Sequence, residues 1–250
     1  MKKRKKKINP ESRFSKPHYS DVKSNKNYGP DLEIDKEIVR NVTQERQRKE
    51  EDPFLNLIYY DQNMAVGYLA RKAPETFGNA LRTLMEIKYR FPYEAPRTLL
   101  DFGAGTGSLG AAFVDVFPDH DFVVNVEKSD PMRKLGRYMT QDIKENMVWV
   151  PDLSSTLQFD HHPHYDLVSV SNVLEEIPTP EQRMEIIESL WEKVSPGGFF
   201  IIMEPGSPMG FRFINDTRNL MRKKGRKNAN IVAPCPHQNE CPLAKKKNIW

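Results

Sequence analysis

Cysteine is nearly absent from this chain: it has two among 250 residues, Cys235 and Cys241. So few exclude a disulfide-stapled secreted scaffold and suit a reducing compartment. No apolar run approaches the roughly 20 residues of a membrane-spanning helix, so the expectation is a soluble protein with no membrane partner. Asn41-Val42-Thr43 has the form of a glycosylation acceptor, but with no signal peptide ahead of it the match is taken as chance. No internal repeat is evident.

What is present is uneven in charge. Residues 1–52 carry 15 Lys/Arg against 10 Asp/Glu, residues 53–211 carry 13 against 22, and residues 212–250 carry 10 against 2. An acidic body between two basic ends suits a polyanionic partner. Residues 1–52 lack sustained apolar periodicity up to Pro30 and read as a basic, largely disordered arm. Its lysine block is compatible with a targeting segment, although it lacks the Arg- and Ser-rich amphipathic character of a good presequence.

Two amphipathic helices are expected over residues 53–95. The first follows Leu57, Tyr60, Met64 and Tyr68; the second has Pro74 at its start and Phe77, Leu81, Leu84, Met85 and Lys88 along one side. From residue 96 to 211, five short apolar runs alternate with helical patterns: "RTLLDF", "FVVNVE", "MVWV", "YDLVSVSNV" and "GGFFIIMEP". That alternation predicts an open parallel α/β sheet covered on both faces. Residues 212–250 hold a basic helix and the cysteines.

The stretch "LLDFGAGTGSLG" runs from strand through glycines into helix. Gly105-x-Gly107-x-x-Gly110 fits the spacing of a dinucleotide loop, so spacing alone does not decide the ligand. Asp101 directly before Gly103, Gly105 and Gly107 does: D-x-G-x-G-x-G is the loop of class I S-adenosylmethionine-dependent methyltransferases, where an acid meets the methionine end of the cofactor. Glu127, ending the second strand about 20 residues on, suits ribose hydroxyls. Asp152 follows the third strand and is placed for the adenine amino group. The expected fold is thus a class I methyltransferase (Rossmann-like) sheet with an N-terminal helical extension.

Catalytic equipment is missing. After the fourth strand "SNVLEEIP" lacks the tandem proline and aromatic used for exocyclic base nitrogens, and no cysteine lies in the first 234 residues to attack a base carbon. No catalytic base stands out; Glu175 and Glu176 lie near the expected cleft, where Glu at a helix start is also explained by the helix dipole. An active methyltransferase on RNA or protein is therefore the alternative function, with its catalytic residues unassigned.

Four readings of the cysteine pair stay open: a disulfide, a zinc site with His237, half of a cluster site, or ordinary loop cysteines. Zinc needs about four ligands, and Cys235, His237 and Cys241 supply at most three. In "GFRFINDTRNLMRKKGRK", Phe213, Thr217, Leu220 and Met221 form a core face, and Arg218, Arg222, Lys223 and Lys224 are candidate phosphate contacts.

The blocks "GYLARKAPETFGNALRTLMEI", "APRTLLDFGAGTG", "VEKSDPMRKLGRYM", "SNVLEEIP", "EPGSPMGF" and "VAPCPHQNECPL" together resemble the mitochondrial small-ribosomal-subunit assembly factors, methyltransferase-like proteins of the type numbered 17, with bacterial relatives. The resemblance runs from about Asn63 to the last residue. It implies residence in the mitochondrial matrix (or, for the relatives, the bacterial cytoplasm) and binding to the small subunit and its ribosomal RNA rather than to DNA. It also implies an S-adenosylmethionine-type pocket and an iron–sulfur cluster of the four-iron type on four cysteines. Cys235 and Cys241 match the first two of those cysteines. With only five strands before the basic segment, the chain is expected to lack the last two strands of the fold and to be a fragment or isoform, monomeric when free.

Overall fold

The computed structural model describes residues 60–159, 164–224 and 229–245. The basic arm over residues 1–52 and the expected apolar position Leu57 lie outside them. Among the described residues no helix is long and apolar enough to cross a membrane.

Helix α1 (Gln62–Arg71) starts where Asp61 accepts a hydrogen bond from the Met64 amide at 2.8 Å. This N-cap satisfies an otherwise orphaned donor and puts Tyr60 ahead of the helix. Helix α2 (Ala73–Arg90) has its proline in the first turn, as expected. Its buried spine is not the one the large residues suggested. Ala73, Thr76, Ala80, Leu84 and Ile87 are buried, Phe77 and Leu81 flank the core, Met85 is exposed, and Lys88 turns its Nζ back to the Val116 carbonyl at 2.6 Å. Ala80 packs with Leu84 and Ile87 against helix α3 (Ser108–Val116), where Ala112 is also fully buried, so a small residue at the contact lets the two helices approach.

The sheet consists of β1 (Thr98–Phe102), β2 (Phe122–Val126), β3 (Met147–Val150), β4 (Tyr165–Ser171) and β5 (Val194–Met203), all parallel, in the order β3-β2-β1-β4-β5. Alternate residues go to opposite faces. Leu99, Val123 and Leu167 pack under α2 and α3. Leu100, Val124 and Val168 pack under α5 (Pro180–Trp191) and α6 (Pro208–Lys224) through Ile187, Leu190 and Phe213. Helix α4 (Asp130–Met139) follows β2. Gly136 of α4 lets it lie on Trp149, since a Cβ there would stand 2.2 Å from the indole. The Pro-Gly-Gly stretch forms an irregularity inside β5. Pairing jumps from Tyr165↔Val194 to Leu167↔Phe199, and a Cβ on Gly198 would meet the Asp166 carbonyl oxygen at 2.7 Å.

The order reverses between β1 and β4, which creates a crevice outside the carboxyl ends of the strands. The glycine loop lies at that point.

Candidate cofactor cleft and cysteine loop

Gly103, Gly105 and Gly107 all have left-handed backbone, at φ 72°, 58° and 83°. Gly103 has a second reason to be glycine: a Cβ would stand 2.1 Å from Val173 Cγ2. The loop thus turns sharply, packs on the segment after β4, and delivers the chain into α3 with Gly107 as N-cap. Gly110 sits against β2, its Cβ position 3.0 Å from Asn125 Oδ1.

Asp101 is buried on β1, in register with Asn125 on β2 and Ser169 on β4. Its Oδ1 accepts a hydrogen bond from Ser169 Oγ at 2.8 Å. Burial pushes its carboxyl up to about 7; the Ser169 hydroxyl opposes the rise and the nearby Glu127 adds to it. Glu127 follows β2, its Oε2 accepting from the Gly105 amide at 2.8 Å and its Oε1 from the Ser129 amide at 2.7 Å. Burial raises its pKa too, against those amide bonds and the Arg133 charge. The floor of the cleft is therefore acidic, and the carboxylates keep lone pairs for hydroxyl donors.

Asp152 is exposed after β3. Its Oδ1 accepts from Ser154 Oγ at 2.6 Å and the Ser155 amide at 2.8 Å, so it organises its own turn. Glu176 is half-buried and accepts from the Tyr60 hydroxyl, whereas Glu175 is exposed. Glu204, directly after β5, accepts from the Leu174 amide at 3.0 Å; burial pushes its carboxyl up to about 7. Sequence patterns did not point to Glu204, Tyr60 or Tyr68 as parts of this region. An acid one residue past an apolar strand was the available signal for Glu204.

The raised acid at Asp101 makes stability depend on pH. Its folded pKa lies above its unfolded one, so the unfolded state ionises first as pH rises. Stability is therefore lost between about pH 4 and 7 and levels off above. Asp101→Asn is expected to stabilise the unliganded protein at pH 8, on the order of 2–4 kcal/mol, with little gain at pH 4. Urea unfolding at the two pH values checks this; an equal gain at both would contradict it.

The cysteine loop is built on α6. Arg218 donates to the carbonyl oxygens of Cys235 at 3.4 Å, of His237, and of Asn239 at 3.3 Å, while Arg222 Nε donates to that of Gln238 at 2.7 Å. His237 Nδ1 accepts from the Asn239 amide at 3.2 Å and lies 3.1 Å from Arg218 Nη2. The Asn239 amide and the Arg218 guanidinium thus occupy the Nδ1 side of the His237 ring. Arg90 of α2 holds the loop's entry through the Val232 carbonyl at 3.0 Å. Cys235 is exposed, Cys241 half-buried, and both are free thiols. Among the described residues no group of three or more His, Cys, Asp or Glu is placed to hold a metal. The full sequence has no third cysteine, so the chain does not complete a four-thiolate set. Lys223 is exposed at the end of α6; the Lys224 side chain lies outside the description.

The family described as "Mitochondrial small ribosomal subunit Rsm22" matches residues 62–250. A human protein named "Ribosome assembly protein METTL17, mitochondrial" is 28% identical over 224 residues, covering 85% of this chain and 48% of its own length. The fission yeast (Schizosaccharomyces pombe) "Rsm22-cox11 tandem protein 2, mitochondrial" is 28% identical over 194 residues, covering 71% of this chain and 25% of its own. This chain thus spans about half the length of the one relative and a quarter of the other. Among solved structures, the plantazolicin methyltransferase BpumL in complex with SAH superposes with a TM-score of 0.52 at 14% identity, over 76% of this chain and 81% of that one. That likeness establishes a class I methyltransferase fold.

Proposed function

The chain belongs to the mitochondrial small ribosomal subunit Rsm22 family, and we propose on that footing that it acts in mitochondria as an assembly factor of the small ribosomal subunit. The observation that carries this reading is the family match across three quarters of the chain, which takes in both the cleft and the cysteine loop. We divide it into a basic arm (1–52), a helical extension (53–95), a methyltransferase-like domain (96–211) and an RNA-facing segment (212–250), working as a monomer. The RNA contact is assigned to the last segment because its 10 basic residues face only 2 acidic ones. Lys223 and Lys224 contribute as point charges on phosphates. Arg218 and Arg222 contribute mainly by shaping the loop they hold.

The cleft fits S-adenosylmethionine. Three left-handed glycines let the loop turn sharply at the crevice, Glu127 offers a carboxylate for ribose hydroxyls, and the acidic floor with Asp101 suits a cationic ligand. Asp152 is assigned to the adenine side. When bound, the cofactor would supply an electrophilic methyl group. The intact loop supports methyl transfer to RNA or protein as the second reading, with no catalytic base assigned. Cys235 and Cys241 are proposed as two of the four thiolates of an iron–sulfur cluster; the other two ligands are not in this sequence.

Ultraviolet crosslinking of the tagged protein in mitochondria tests the RNA reading. Crosslinks should concentrate on small-subunit ribosomal RNA. An equal spread over large-subunit and transfer RNA would reject it.

A further inference from the structure

Tyr60 touches both banks of the cleft. Its carbonyl oxygen accepts from Ser129 Oγ at 3.2 Å, beyond β2, and its hydroxyl donates to Glu176 Oε1 at 3.0 Å, beyond β4. Its ring meets Tyr68 of α1 edge to face, with centroids 5.8 Å apart. Tyr68 lies on the glycine loop, its Cε1 and hydroxyl each 3.4 Å from where a Cβ on Gly105 would stand. Beneath them Glu127 is held between the Gly105 and Ser129 amides. The surrounding carboxylates are felt by both rings: burial first, then Glu176 and Glu127, raise the Tyr60 phenol, and Tyr68 is pushed up to about 12 by burial, Glu176, Glu127 and Asp101 against a hydrogen bond with Thr76.

We propose that Tyr60 and Tyr68 form the roof of the cleft, and that the Tyr60–Glu176 hydrogen bond is the latch a nucleoside-bearing ligand must open to enter or leave. This rests on the cofactor reading above. The floor is the glycine loop, whose three glycines are followed directly by α3. One bank is closed by Val173 against Gly103, and the other by Ser129. A ribose reaching Glu127 has to pass under the segment that Tyr60 ties across both banks. The latch joins protein to protein, so breaking it lowers the barrier to opening without removing a contact to the ligand.

Stopped-flow binding of S-adenosylhomocysteine to the full chain tests this. Tyr60→Phe keeps the ring and removes the donor; Glu176→Ala removes the acceptor. Each should raise the association and dissociation rate constants together by about tenfold, the scale of one hydrogen bond to a charged group, with Kd changed less than about threefold. The double variant should be no faster than Glu176→Ala alone, since that change has already broken the bond. Unchanged rates in both variants would overturn the latch and leave the cofactor reading standing. A weaker Kd at an unchanged association rate would also overturn it, making the hydroxyl a direct ligand contact. No binding by the wild type would overturn the cofactor reading and the latch with it.

Discussion

Gly105→Arg is expected to abolish cofactor binding while leaving the sheet folded. The backbone at φ 58° costs a non-glycine residue about 1–2 kcal/mol. The new Cβ would meet Tyr68 and Met132 at 3.4–3.5 Å, an ordinary contact, so the loop itself survives. The rest of the arginine has no such room. Gly105 is buried under Tyr68, and its amide is bonded to Glu127, so the side chain must run into the cleft. There the guanidinium would find Asp101, Glu127 and Glu176 and take the place of a cationic ligand. Calorimetry with S-adenosylmethionine should show binding to the wild type and none to the variant, a loss above about a hundredfold, on the scale of losing several charged hydrogen bonds together. Unchanged far-ultraviolet circular dichroism would show that the fold persists. A variant Kd within tenfold of wild type would contradict the placement of the site.

Arg218→Ala should free the cysteine loop from α6. One guanidinium serves the carbonyls of Cys235, His237 and Asn239, and it lies beside the imidazole that the Asn239 amide also uses. Hydrogen bonds to charged groups contribute about 1.5–3 kcal/mol each, so losing the set should accelerate exchange of the His237 and Asn239 amides by about a hundredfold or more. Arg218→Lys should restore little of the protection, because the three N–H donors of an ammonium radiate from one nitrogen, whereas the carbonyls are met by two separate guanidinium nitrogens. It does restore the charge. RNA affinity that falls in both variants would therefore report loop shape, and affinity that recovers with lysine would report charge. Exchange unchanged in the alanine variant would contradict the clamp.

The sheet was legible because parallel strands covered by helices read as plain apolar runs, and all five runs fall at or within a few residues of their strands. The glycine loop was legible because left-handed turns leave few substitutes for glycine. The inner face of α2 was not. Met85 is large and exposed, whereas Ala80 is small and buried, and its value lies in what it lets approach. The roof was hidden for a different reason: Tyr60 and Tyr68 sit at helical spacing that suits any core, and their partners Gly105 and Glu176 are far along the chain. Arg218 and Arg222 showed their charge in the sequence. Backbone carbonyls are present at every residue, so no pattern announces that a particular guanidinium will meet them.

The most direct test of the assembly reading is sedimentation of the tagged chain from mitochondrial lysate through a sucrose gradient. The chain should travel with small-subunit particles, be displaced by high salt, and be absent from large-subunit and fully assembled fractions. A chain that stays at the top of the gradient, or travels with the large subunit, would contradict it.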